Sequence, residues 1–350
     1  LSRKAHRLLP QSPSTVIEDT ITEVVFLYRD GDPLPVTLAE PVMFMVMRDR
    51  FDHWLLQQAE QAGAAVRHTT PVTGLTAAGG RVTLYAGSTT FEAALVVAAD
   101  GAHGRTARAL GLRLPFHRGL ALESELPLTG NEAAAYRGRV FINYGVLPYG
   151  YTWLFPKATC LSVGSGSFYP RGRRLLLALA GFCQSQGLAP PTRAQLKAYP
   201  LPVLARPPQQ WHTDHGLAAG DAAGLIDPFS GEGIYYALQS GRWAAEAVLR
   251  HLQGEANALA DYSRRVREEL WPELETAARL ARVIYGFPFL VHRLLKKHPG
   301  AAAKLVAVVM GSLTYRELYR YLGERFLLFR LPLSRLAPLG SRTRAGPPCP

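Results

Sequence analysis

The chain reads as a mixed α/β protein, and three stretches predict it. Gly216 to Gly241 reads GLAAGDAAGLIDPFSGEGIYYALQSG: a short apolar run, a Gly-Asp pair, a Gly-rich turn and a helix start. Leu95 to Leu112 reads LVVAADGAHGRTARALGL, an apolar strand ending in Asp-Gly before a helix. Residues from about 115 to 168, Phe141 to Phe168 among them, are rich in strand patterns, aromatics and glycines, which suits a mostly antiparallel sheet.

In chain order, residues 1–47 predict a helix-like start and strands at Glu23 to Tyr28 and Val42 to Val46. The turn residues Asp30-Gly31-Asp32-Pro33 between them suggest a hairpin-like insertion. Arg48 to Gly63 predicts an amphipathic helix, with Phe51, Leu55, Leu56 and Ala59 on one face. Strand patterns follow at Ala65 to His68, Val72 to Ala77, Arg81 to Ala86 and Phe91 to Ala98. Alternation in GYTWLFPK puts Tyr151, Trp153 and Phe155 on one face and Thr152, Leu154 and Pro156 on the other. Residues 170–200 predict helix and return through the Pro-rich stretch Pro200 to Pro208. Ile234 to Leu252 and Ala256 to Tyr285 predict helices, followed by basic, apolar helical segments and a disordered tail from Gly340.

A chain of 350 residues can bury a large core in one or two domains. The net charge of +12 comes from basic residues spread along the chain with no nucleic-acid module, so nucleic acid is not expected as a partner and an anionic membrane surface fits better. Three cysteines without CxxC spacing argue against a disulfide framework or zinc site. No signal peptide or spanning run is visible, which predicts a cytoplasmic protein with possible peripheral membrane contact.

The Gly216–Gly241 run carries its own chemistry. Glycines let a loop approach a ligand closely. Free N–H groups at a helix start suit an anionic or polarised group. Asp221, at a strand end, is placed to accept hydrogen bonds from sugar-like hydroxyls.

The run resembles the second flavin-binding motif of FAD-dependent oxidoreductases of the p-hydroxybenzoate hydroxylase fold, and most of all that of the geranylgeranyl reductase family. The resemblance implies that Gly220-Asp221 holds the ribityl chain. It also implies that Gly231, Glu232, Gly233 and Ile234 present backbone N–H groups to the flavin, with Pro228 shaping the turn. MRDRFDHWLLQQAEQAGA resembles the family's R-x-x-F-D-x-x-L helix, which implies a cofactor contact for Arg48 and leaves Asp52 to support the helix dipole. LVVAADGAHGRTARALGL resembles the family's strand and D-G turn, which puts Asp100 near the cofactor. GYTWLFPK and GSLTYREL resemble a substrate-domain strand and the C-terminal helices, which makes Tyr151, Trp153 and Phe155 a substrate wall. No catalytic acid is assigned, since none of the three cysteines stands in the family's Cys-Gly-Gly turn; Tyr151 is a candidate only. Lys157 reads as a solvated side chain.

The implied architecture is an incomplete Rossmann-like FAD-binding domain in residues 1–112 and 201–252. An antiparallel-sheet substrate domain occupies 113–200, a helical section 253–333 and a tail 334–350. Proteins of the family begin with a strand, a GxGxxG turn and a helix. The sequence holds only GSG at Gly164 to Gly166, which opens no helix. The expectation is therefore an N-terminally truncated form, short by one βαβ-type unit of about 30 residues, that binds FAD weakly. The implied activity is FAD-dependent saturation of double bonds in a geranylgeranyl chain on a prenyl diphosphate, a (bacterio)chlorophyll or a lipid. NADPH or a ferredoxin would be the electron donor. The alternatives are a flavin monooxygenase or halogenase of the same fold, and a non-catalytic fragment.

Overall fold

The computed structural model describes residues 1–128, 133–170 and 172–330. The strands in chain order are β1 (Ile17–Ile21), β2 (Glu23–Tyr28), β3 (Gly31–Thr37), β4 (Met43–Val46), β5 (Gly74–Ala78), β6 (Arg81–Ala86), β7 (Thr89–Ala93) and β8 (Val96–Ala98). They continue with β9 (Phe116–Pro127), β10 (Arg139–Tyr144), β11 (Gly150–Pro156), β12 (Cys160–Ser167), β13 (Lys197–Leu204), β14 (His212–Thr213) and β15 (Gly216–Ala218). The expected tail and Cys349 lie outside the described residues.

A seven-stranded sheet in the order β13-β9-β12-β11-β10-β2-β3 dominates the molecule, antiparallel except for the β10–β2 pair. It takes two strands from residues 23–37 and one from 197–204, on either side of the aromatic stretch. The β2–β3 hairpin turns through Arg29 and Asp30, whose φ values of 51° and 65° are left-handed, one residue before the expected turn. Buried Asn143 secures it: its Nδ2 donates to Asp30 Oδ1 at 2.8 Å and its Oδ1 accepts from the Asp30 N–H at 2.9 Å.

The Pro-rich stretch Pro200 to Pro208, expected as the return to the cofactor domain, begins inside β13, an edge strand. Proline cannot donate to a ladder, so it is tolerated at an edge. Pro200 and Pro202 sit in β13 at one margin, and Pro33 and Pro35 in β3 at the other. The expected helix within 170–200 is confined to Gly172–Ser185.

That helix covers one sheet face, where Leu179 and Phe182 pack on Val25, Leu154 and Val163. Burying each such side chain stabilises by about 1.5–3 kcal/mol. The C-terminal helices Trp271–Gly286, Pro288–Lys297, Pro299–Met310 and Tyr315–Arg325 cover part of the opposite face, against Val24, Phe26, Leu34 and Val140. The expected helix over 256–285 is two helices, Ala258–Arg265 and Trp271–Gly286, joined by a π-helical turn at Val266–Leu270. Pro272, which has no N–H, marks the change in hydrogen bonding. No described helix is long and apolar enough to cross a membrane.

A second core surrounds a small sheet in the order β14-β15-β8, in which β15 and β8 run parallel. β8 forms its open edge, and Val97 is 39% exposed. Strand patterning misread this region twice. Residues 65–68 form no strand. The run Phe91 to Ala98 divides between β7, which pairs with β6, and β8, because Glu92 and Val97 are exposed and the chain changes sheets between them.

The GSG at Gly164 to Gly166 has a packing role. A Cβ on Gly164 would lie 2.1 Å from Trp153 Cζ2, so the glycine is the floor on which the indole rests. Gly164→Ala should therefore destabilise by about 1–3 kcal/mol through overpacking. Thermal unfolding of Gly164→Ala beside the Gly164→Ala/Trp153→Leu double variant checks this. The double variant should recover only part of the loss, because the Cβ would still lie 2.6 Å from Leu122 O.

Candidate active site

The centre of the site is the loop from Asp227 to Gly233. Asp227 is fully buried. Its Oδ1 accepts from the N–H groups of Phe229 at 2.8 Å and Ser230 at 3.1 Å, and its Oδ2 accepts from Tyr315 Oη at 2.6 Å. Its backbone closes the turn: Gly231 N donates to Asp227 O at 2.8 Å and Asp227 N to Glu232 O at 3.0 Å. Two more tyrosines hold the outer side. Tyr285 Oη donates to Phe229 O at 2.8 Å, and Tyr151 Oη donates to Ser230 O.

Glu232 is held too. Lys4 Nζ lies 2.9 Å from its Oε2, both side chains are more than four-fifths buried, and Ser2 Oγ donates to its Oε1. Although burial opposes the charge on Lys4, Glu232 and Asp227 raise its pKa above the ordinary lysine range. The ammonium also lies over the rings of Tyr235 and Tyr236, at 4.5 and 5.0 Å. Gly311 permits this docking, since a Cβ there would come within 2.6 Å of Lys4 Cβ.

Against this web, two sets of polar groups have no protein partner among the described residues. The first is the Asp221 carboxylate, at the start of the 3-10 turn Gly220–Ala223. It is half-buried, and burial raises its pKa while Arg48 pulls it down. The second is the N-terminus of helix Ile234–Leu252. The N–H groups of Gly233, Ile234, Tyr235 and Tyr236 make no hydrogen bond to described residues. The two sets adjoin: a Cβ on Gly233 would lie 2.9 Å from Asp221 Oδ1. Gly220, at φ +57°, brings its turn against the same helix, where a Cβ would lie 3.1 Å from Ala237 Cβ. Its N–H donates to Ser240 Oγ at 2.9 Å. The result is a glycine-lined notch with a carboxylate on one wall and a helix dipole's positive end on the other.

This sorts the residues expected from sequence. Gly220, Asp221, Gly233 and Ile234 line the notch. The N–H groups of Gly231 and Glu232 are already donated, to Asp227 O and to Ser230 Oγ, so those two residues shape the loop. Pro228 lies on the far side of the loop, in a separate cavity. Arg48 is 64% exposed and bidentate with Asp52, at 3.0 and 3.1 Å, so Asp52 orients the arginine. The Arg48 charge also acts on Asp221. Asp100 caps the short helix Thr106–Ala109: its Oδ2 accepts from the N–H groups of Arg105 and Thr106 and from Thr106 Oγ1. Gly104 leaves it room, since a Cβ there would lie 2.2 Å from that carboxyl.

The aromatic face is as expected. Tyr151, Trp153 and Phe155 are partly open while Thr152, Leu154 and Pro156 are buried. The rings follow one another at 5.8 and 6.2 Å between centroids. Tyr151 is not a free acid, because its hydroxyl proton is already given to Ser230 O and burial raises its pKa further. Lys157, expected in solvent, is buried and lies 3.4 Å from Glu125. Sequence reasoning missed Asp227, Lys4, Tyr285 and Tyr315. Of these only Asp227 leaves a local sign, as an acid within the apolar run LID.

A family model described as an FAD binding domain matches residues 17–140. The chain is 27% identical to the chloroplastic geranylgeranyl diphosphate reductase of Arabidopsis thaliana, over 74% of this chain and 59% of that protein. It is 29% identical to the digeranylgeranylglycerophospholipid reductase of Methanocaldococcus jannaschii, over 77% of this chain and 71% of that one. The chain thus spans less than two thirds of its plant relative. A geranylgeranyl bacteriochlorophyll reductase-like protein of Thermoplasma acidophilum shares the fold, with a TM-score of 0.71, 20% identity and coverage of 93% of this chain and 85% of that one.

Lys4→Met should leave Glu232 buried and unpaired and destabilise by about 3 kcal/mol, as breaking a buried pair does. Tyr315→Phe should cost about 1.5–3 kcal/mol, the value of a hydrogen bond to a charged group. Urea unfolding measures both.

Proposed function

We propose that this chain, an FAD-dependent oxidoreductase related to the geranylgeranyl reductases, saturates carbon–carbon double bonds of an isoprenoid chain laid against the Tyr151–Trp153–Phe155 face. The observation that carries this is the notch: a carboxylate without a partner beside an unbonded helix start, walled by glycines that exclude any Cβ. Those residues fit a flavin. Asp221 would accept from ribityl hydroxyls, and the N–H groups of Gly233 and Ile234 would meet the electron-rich pyrimidine edge. Arg48 balances the charge of Asp221. When bound, the flavin supplies the hydride.

The protein's own part is positioning. An unactivated alkene offers no polar handle, so it must be held still, and stacked aromatic rings do this while keeping water away. The fixed Asp227 loop keeps the helix start aimed at one place. NADPH or a ferredoxin-like protein is the proposed electron donor. The proposed substrate is a prenyl diphosphate, a (bacterio)chlorophyll ester or a polar lipid. A membrane contact is proposed at helix Pro288–Lys297, where exposed Phe289 and Leu290 stand beside Arg293 and Lys297.

The test is to soak the chain with FAD, desalt it, reduce it and supply geranylgeranyl diphosphate, then weigh the product. A gain of two hydrogens for each bond supports the reading. Retained flavin with no product from any member of the three substrate classes, each supplied in turn, sinks it. Asp221→Asn gives a second check. Burial raises the Asp221 pKa, so its stability contribution is full below the ordinary carboxylate range and is lost as pH rises through the raised value. The variant should melt higher than wild type at pH 7 without flavin, with the difference vanishing at acid pH. It should also bind flavin about tenfold or more weakly, the loss of hydrogen bonds to a charged acceptor.

A further inference from the structure

Beyond the loop lies a cavity of about 210 Å³ between helix Trp271–Gly286 and β13. Its lining is of two kinds. Phe168, Val203, Ile226, Trp271 and Leu274 are apolar, whereas Arg206, Arg279 and Arg282 are cationic. Glu275 is the one carboxylate among the described lining residues, and it pairs with Arg279 at 3.1 Å. Arg206 and Arg282 have no ion-pair partner among the described residues, and Arg282 Nε is buried with no hydrogen bond at all. A buried guanidinium donor without an acceptor is costly.

The helix aims these groups together. Trp271, Leu274, Glu275, Ala278, Arg279 and Arg282 form one stripe at helical spacing. The opposite wall comes from the large sheet. Val203 pairs with His117, and His117 lies on the same face of β9 as Glu123, which is opposite Gly164 and so beside Trp153. The step from Glu123 to His117 spans roughly 20 Å at ~3.3 Å per residue. The cavity and the aromatic wall thus share one sheet face.

We propose that this cavity binds the phosphate end of an amphiphile, with Arg206, Arg279 and Arg282 holding the phosphate and the Trp271 side receiving the first apolar carbons. Guanidinium forks match phosphate oxygens. A free inorganic anion would leave the apolar half of the lining unused. The proposal deepens the substrate reading above and rests on it for the apolar chain, while its test needs no flavin.

Isothermal titration of the purified chain with geranyl diphosphate and with inorganic pyrophosphate, at one ionic strength, tests it. Geranyl diphosphate should bind more tightly than pyrophosphate. Arg282→Gln and Arg206→Gln should each weaken it about tenfold, the loss of one charge-assisted bond. Arg282→Lys should fall between, and the surface control Arg81→Gln should change nothing. Arg206 is exposed, so its variant should fold, and circular dichroism of both glutamine variants checks this. Equal affinity for the two ligands overturns the proposal, as does unchanged binding in both glutamine variants. Binding lost in Trp153→Ala but kept in the arginine variants places the phosphate elsewhere, which overturns this proposal and leaves the reductase reading standing.

Discussion

A single buried carboxylate, that of Asp227, organises the site. Burying an ionised group is expensive unless it is hydrogen-bonded and paired. Asp227 meets that cost with two loop N–H groups and the Tyr315 hydroxyl, reached across 88 residues of sequence. The loop that results is then gripped by Tyr151 from the large sheet and Tyr285 from a C-terminal helix. The helix start at Gly233 is therefore positioned by the sheet and by two C-terminal helices at once. Lys4 adds the chain's first helix through Glu232.

The polar groups of the site divide by whether the protein has already used them. Glu232, Tyr151 and Asp100 all look reactive in sequence, but each spends its hydrogen-bonding capacity on structure. Asp221 and the N–H groups from Gly233 to Tyr236 do not. This division decides function better than residue type does, because a satisfied group has little to offer a ligand. It also explains why Asp221 sits in a costly half-buried place: the free energy withheld from folding is available to binding.

Much of this was legible in the chain. The notch was, because glycine spacing, a strand-end acid and a helix start are all local signals within Gly216 to Gly241. The alternation in GYTWLFPK likewise gave the open face of β11, since side-chain period depends only on neighbours. What escaped was long-range. Nothing near Tyr285 or Tyr315 shows that they reach back to Phe229 and Asp227. Lys157 reads as a surface lysine until Glu125 is brought beside it by the β9–β12 pairing. Pro200 and Pro202 gave no strand signal because proline disfavours strands in general, and only sheet order reveals an edge where that objection lapses. The Ala65 to His68 run had the composition of a strand but found no ladder to join.

Those edge prolines constrain how the protein meets other chains. The large sheet ends at both sides in strands with missing N–H donors, Pro33 and Pro35 in β3 and Pro200 and Pro202 in β13. A strand from a partner, or from a second copy, cannot complete a regular ladder on either margin. Side chains on helices and loops are therefore the better footing for a protein contact with this half of the molecule. Self-association by strand addition is disfavoured at the sheet that carries the aromatic wall.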